Sequence, residues 1–205
     1  MKAAPRRKRG ETRPHILKTA RKLVIRDGAD AVSLRAVAAE AGYSPASLYV
    51  HFQSKEDLLR ELAAGVLVRL DGFLGKVSEE LPPDFRLIEY GCAYVHFARA
   101  HPEDFLLLFS HLRSQRMLPT EGLTEGNPYT RLHRAAKIGI ERGTFPSTSP
   151  LGPETIAYGL WSCAHGQAML QLTHLRDFGA DFESADRSLL GAFVHGLKSA
   201  SHPIP

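Results

Sequence analysis

A chain of 205 residues, 43% hydrophobic and 23% charged, is long enough for one sizeable core or for a small domain joined to a larger one. It contains no apolar run near the ~20 residues a membrane span requires and no signal-peptide pattern at its start, so a soluble cytoplasmic protein without membrane partners is expected. The net charge of +4 conceals an asymmetry: residues 1–60 carry 13 Lys and Arg against 6 Asp and Glu, a balance of +7, and residues 61–205 a balance of −3, which points to a polyanionic partner for the N-terminal part.

Residues 1–10, with Pro5, the run Arg6-Arg7-Lys8-Arg9 and Gly10, offer nothing to bury and read as a disordered basic tail that attracts phosphates without regard to sequence. A first helix is predicted over 11–27, with Ile16, Ala20, Leu23 and Val24 on one face and Gly28 at its end. Arg13, Lys18, Arg21, Lys22 and Arg26 lie on its polar surface, some of them within reach of a DNA backbone.

The most informative stretch is 33–55. Ser33 is an N-cap, Leu34, Val37, Ala38 and Ala41 share an apolar face, and Gly42 supplies the backbone freedom needed just past a helix end. Ser44 and Pro45 restart a helix whose inward residues are Leu48 and Phe52. A short helix exposing small residues at its start and the Tyr49 phenol near its end has the shape of a major-groove reader. Ser54 then caps a long helix, with Asp57 approximating a capping box. Leu58, Leu62, Val66, Leu70, Phe73 and Val77 carry that helix to about residue 78, before Pro82-Pro83 breaks it.

These residues carry a family resemblance. Ala20, Leu23, Gly28, Ser33, Arg35, Val37-Ala38, Gly42, Ser44, Leu48-Tyr49, His51-Phe52 and Lys55-Glu56-Asp57-Leu58-Leu59 make residues 11–60 resemble the DNA-binding domain of TetR-family transcriptional regulators. The resemblance implies DNA contacts from Ser33, Arg35, Tyr43, Ser44, Pro45, Ala46, Ser47, Tyr49, His51 and Lys55. Pro45, Ala46 and Ser47 would approach base edges, the apolar pair suiting a thymine methyl. Ser33, Tyr49, His51 and Lys55 suit phosphates. For Arg35 both a guanine fork and a phosphate clamp stay open.

The remainder reads as helical, so an all-α fold is predicted: a helix-turn-helix domain over 11–60 and a ligand-binding and dimerisation bundle over 61–205. Helices are predicted over 84–100, from Pro102 onward, and over 129–142, 153–176 and 182–199, with loops at 114–128 and 144–153. This half resembles the family's ligand-binding domain, and Trp161-Ser162-Cys163-Ala164-His165-Gly166 is similar to the Trp-x-x-x-His-Gly motif of one subtype. The resemblance implies repression from a palindromic operator, relieved by a small, largely apolar ligand. Tyr94, Phe97, Phe105, Phe109, Trp161 and His165 are candidates for the ligand's pocket, although the same residues would build an ordinary core. Leu189, Phe193 and Leu197, with Gly159, Ala164 and Ala168 opposite, suggest a homodimer interface or an intrachain face.

Cys92 and Cys163 lie far apart without metal-ligand spacing and read as buried thiols, a disulfide staying open. None of His96, His101, His111, His165, His174 and His195 forms the i, i+4 pair with a carboxylate of a helical zinc site. No metal or cofactor is therefore expected. Gly-x-Ser-x-Gly elbows and phosphate-binding glycine loops are absent, so no enzyme is expected either. The competing reading is a helical small-molecule-binding protein without specific DNA binding, and the charge step at residue 60 argues against it.

Overall fold

Apart from the first, helices begin where a proline or a capping oxygen stands. In the computed structural model, which describes residues 11–111, 126–146 and 151–199, the order is α1 (Thr12–Asp27), α2 (Leu34–Ala41), α3 (Pro45–Tyr49), α4 (Lys55–Leu74) and α5 (Pro83–Ala100). Then come α6 (Pro102–Leu106) with a π-helical turn Leu107–His111, α7 (Pro128–Glu141), α8 (Pro153–Leu172) and α9 (Phe182–Ser199). Five of these helices, α3 and α5 to α8, open on a proline, whose missing N–H is one the first turn leaves unbonded anyway. No strand occurs among the described residues, and the fold is all-α. The expected basic tail, most of the 114–128 loop and part of the 144–153 loop lie outside the described residues.

Three helices stop short of their predicted ends: α3 closes at Tyr49, leaving Phe52 buried beyond it. α4 closes at Leu74 instead of near residue 78, because after the Gly75 N–H bonds Asp71 O the next two amides turn back only three residues, to Phe73 O and Leu74 O. Val77 therefore lies beyond the helix. α8 closes at Leu172 instead of 176, where the Thr173 hydroxyl donates to Met169 O and the backbone leaves helical geometry.

The chain forms two compact units, Met1–Val66 with Glu103–Leu118, and Leu67–Pro102 with Pro119–Pro205. In the first, Ile16, Ala20, Leu23 and Val24 of α1 are buried, as are Val37 and Ala38 of α2, Leu48 of α3, Phe52, and Leu58 of α4. α1 also packs against the π-helical turn. Arg21 donates to Asp104 at 2.8 Å and to Glu103 at 3.0 Å, so the segment after α5 is tied electrostatically to α1.

In the second unit α5 is the central helix, packing against α7, α8 and α9. Leu87, Tyr94, Phe97 and Ala98 of α5 are buried, with Leu160 and Ala164 of α8 and Leu190 and Val194 of α9. A Cβ at Gly91 would come 2.9 Å from Leu190, so glycine permits the close approach of α5 and α9. Ion pairs hold the periphery: Lys198 meets the buried Asp84, and Arg131 forks onto Asp71 at 2.6 and 2.9 Å. Buried Arg86 donates to the carbonyls of Glu79 and Leu81, fixing the α4–α5 connection. Cys92 and Cys163 are free thiols, both half-buried.

Candidate nucleic-acid interface

The α2–turn–α3 stretch is built by its caps. The Ala36 N–H donates to Ser33 Oγ at 3.1 Å, satisfying an amide that the first turn of α2 cannot bond internally. Gly42 ends α2 at φ 76°, a left-handed conformation natural to glycine, and the next amide, Tyr43 N–H, reaches Ala38 O at 2.9 Å. Ser44 starts α3: its Oγ accepts from the Ser47 N–H at 3.2 Å and lies 2.8 Å from the Ser47 hydroxyl. At the start of α4 the Asp57 N–H donates to Ser54 Oγ and Asp57 Oδ2 accepts from the Gln53 N–H, a reciprocal pair of the capping-box kind.

The apolar side of this stretch is sealed, since Val37, Ala38, Leu48 and Phe52 are wholly buried. Arg13 closes it from outside, with its guanidinium 4.9 Å above the Phe52 ring and two bonds from Nε to the Glu61 carboxylate at 2.9 and 3.1 Å. What remains outward is the predicted contact set. Ser33, Arg35, Ser44, Pro45 and Ala46 are exposed, Tyr49 is 54% exposed, and Ser47 and His51 are half-buried.

Two members of the set also have local work. The half-buried Tyr43 meets His15 edge to face at 6.1 Å, and the Lys55 ammonium donates to Asp30 O at 2.9 Å, tying α4 to the α1–α2 connection. Val50 was not singled out in the sequence. It is 81% exposed beside Tyr49, and its position off the Leu48–Phe52 face was the available signal.

Charge is distributed unevenly over this unit. Arg13, Arg21 and Arg26 on α1 are each engaged by carboxylates. Arg35 on α2 is exposed and has no hydrogen-bond or ion-pair partner among the described residues, and the same holds for Lys18 and Lys22 on α1. An exposed guanidinium without an intrachain acceptor keeps its forked donors available for a base edge or a phosphate.

The six pocket candidates divide between the units. Phe105 and Phe109 pair in the first, with ring centroids 4.8 Å apart. In the second, Phe97 packs edge to face on Phe73, and Tyr94, Trp161 and His165 form a polar cluster. The Trp161 indole N–H donates to the Tyr94 hydroxyl at 3.2 Å, and that hydroxyl lies 2.9 Å from His165 Nδ1. A hydroxyl that accepts from the indole donates most naturally to the imidazole, which places the histidine's own proton on Nε2. Burial raises the Tyr94 pKa and lowers that of His165, so both groups are held neutral.

The dimer candidates differ in exposure. Ala168 is 1% exposed and Leu197 7%, and a Cβ on Gly159 would come 2.6 Å from Phe193 of the same chain. Gly159 and Phe193 thus meet across α8 and α9 within the chain, and Ala168 and Leu197 are buried in it. Leu189 alone of the stripe is well exposed, at 60%. The exposed residues on the two helices include Tyr158, Ser162, Gly166 and Leu170 of α8 and Leu189, Ala192 and Gly196 of α9. Among the described residues no group of three or more His, Cys, Asp or Glu is placed to hold a metal ion, and no helix is long and apolar enough to cross a membrane.

Comparison with known proteins adds two family matches. Residues 16–62 match bacterial regulatory proteins of the tetR family, and residues 87–196 match the tetracyclin repressor-like C-terminal domain. An uncharacterised HTH-type transcriptional regulator of Mycobacterium tuberculosis is 26% identical over 169 residues, 81% of this chain and 72% of the relative. Among solved structures, a protein of unknown function from Rhodococcus sp. RHA1 superposes with a TM-score of 0.70 at 27% identity, over 91% of this chain and 95% of that one. A transcriptional regulator FadR from Bacillus subtilis, solved in complex with stearoyl-CoA, has a TM-score of 0.70 over 89% of this chain and 98% of its own, and at 16% identity it shares the fold.

Proposed function

Because the chain belongs to the tetR family of bacterial regulatory proteins, we propose that this transcriptional regulator is a repressor that grips a palindromic operator with two copies of its α2–α3 face and is released by a small, largely apolar ligand. Members of the family are regulators rather than enzymes. The observation that carries the proposal is the α2–α3 face, where Arg35, Pro45, Ala46 and Tyr49 stand exposed on a stretch whose other side is wholly buried. Small residues at the start of α3 allow the backbone to approach base edges, and Arg35 and Tyr49 flank them with groups suited to bases or phosphates.

A two-fold dimer would present two such faces about one DNA turn or a multiple apart. Its interface is proposed on the outward side of α8 and α9, where Tyr158, Leu170 and Leu189 are large exposed hydrophobics and Gly166 and Gly196 leave open space for a close approach. Ligand binding would shift the population toward a form whose paired faces no longer match the operator.

Selection of bound duplexes from a random pool, followed by footprinting, tests this. The expected product is an inverted repeat bound by a dimer, with Leu189→Asp giving monomers in sedimentation and weaker operator binding. A protein that enriches no sequence and shows no salt-sensitive duplex binding would instead be a helical ligand-binding protein that does not read DNA.

A further inference from the structure

On a different face of α5 from Tyr94 lies a cleft of about 600 Å³, a volume that suits a drug-sized molecule. It runs between the α4–α5 connection and the first turns of α9, within the second unit. Ala93 and His96 of α5 lie along its floor, with Cys92 beside them.

The two walls differ in chemistry. Toward α9 the charges neutralise one another inside the chain. Arg187 forks onto both oxygens of Glu89, and Arg99 lies 3.6 Å from the buried Asp186. Asp186 also accepts two bonds from Gln171 Nε2, at 2.9 and 3.1 Å. Glu183, the third carboxylate of the cleft, sits in the field of Arg187. The opposite wall is apolar, made by Phe73, Val77 and Leu81. Two basic groups converge there on one ring: the Lys76 ammonium lies 4.5 Å from the Phe73 centroid, and the His96 ring 6.0 Å from it. Among the described residues neither Lys76 nor His96 has a carboxylate partner.

We infer that this cleft binds a small organic anion with a flat apolar body, the body lying on Phe73, Val77, Leu81 and Ala93 and the anionic head meeting Lys76 and His96. The geometry favours an anion over a cation because Glu89 and Asp186 of the far wall are already held by Arg187 and Arg99, whereas Lys76 and His96 beside Phe73 have no carboxylate partner among the described residues. A ring is favoured over a flexible chain because Phe73 and His96 offer aromatic surface for offset or edge contacts. The consequence for transcription rests on the ligand-released repressor proposed above, with this cleft as the effector's site. Binding itself stands on the cleft alone.

The test is calorimetric titration of the full chain with 2-naphthoate and with its neutral counterpart 2-naphthamide. Saturable binding of the acid is expected, with the amide weaker by about fivefold to tenfold for loss of a charge-assisted contact. Lys76→Gln, a change at an exposed side chain, should weaken the acid by a similar factor and leave the amide alone. Ala93→Trp should fill the floor and abolish both, its fold checked by circular dichroism. No binding of the acid up to millimolar concentration, equal affinity for acid and amide, or full binding by a folded Ala93→Trp protein would each overturn the inference. Operator binding is scored separately. Naphthoate binding by a protein that ignores DNA would support the cleft and remove the regulator's role proposed for it.

Discussion

The two units of this protein place their polar side chains to opposite ends. In the first, hydrophobic residues seal α2 and α3 from behind, and Arg35 and Tyr49 on the outward side have no hydrogen-bond or ion-pair partner among the described residues. In the second, polar groups turn to one another: Lys198 to Asp84, Arg131 to Asp71, Arg187 to Glu89, and Tyr94 to both Trp161 and His165. A satisfied network fixes one packing, whereas a solvated arginine on a rigid helix keeps its donors for an outside acceptor. Arg13 and Arg21 supply the contrast within the first unit itself. They have the chemistry of Arg35, yet Glu61 and Asp104 engage them as braces.

The sharpest way to break that distinction uses two aromatic residues three positions apart. Phe52→Ala removes a wholly buried ring and should cost about 3–5 kcal/mol of stability in denaturant unfolding. Tyr49→Ala, at an exposed site, should leave the unfolding midpoint nearly unchanged and lower only DNA affinity. A destabilisation by Tyr49→Ala as large as that by Phe52→Ala would make Tyr49 a packing residue.

Next in size is Arg35→Ala. Loss of one bidentate base contact costs about 1–3 kcal/mol of discrimination, to be read as the affinity ratio between selected and scrambled duplexes. Should affinity for both fall alike, Arg35 is a phosphate clamp. Ser44→Ala removes the cap of a five-residue helix and should cost about 1 kcal/mol of stability, visible as a lower unfolding midpoint.

The second unit offers a subtler probe. Burial lowers the His165 pKa below its ordinary 6.5, so in mild acid the unfolded chain binds a proton that the folded chain resists. Stability contributed by this residue is therefore present above pH 6.5 and is lost as the pH falls from there through the lowered folded-state pKa. Thermal unfolding followed from pH 7.5 to 5.5 should show a steeper decline for the native protein than for His165→Gln.

Much of the first unit was legible because its signals are local. Ser33, Gly42, Ser44 with Pro45, and Ser54 with Asp57 act within four residues of themselves. The braces were not legible, since Arg13 reaches Glu61 across 48 positions and Arg21 reaches Asp104 across 83. On α8 the apolar residues lie on both sides, with Leu160 and Ala164 buried and Tyr158 and Leu170 exposed. Periodicity therefore cannot say which side faces its own chain, and it leaves a dimer interface and an intrachain face equally open for Ala168. The cleft was invisible for a related reason: it forms where α4 stops early and brings Lys76 over Phe73, a geometry that helical spacing cannot supply.

Sequence reading by the exposed α2–α3 face can be measured by fluorescence anisotropy at physiological salt. The native protein and an Arg35→Ala/Tyr49→Ala variant would be titrated against the selected inverted repeat and a scrambled duplex of equal length. The native protein is expected to prefer the repeat by at least a hundredfold, about 2.7 kcal/mol, and the folded variant to lose most of that preference. Equal affinity of the native protein for both duplexes, or an undiminished preference in the variant, would contradict it.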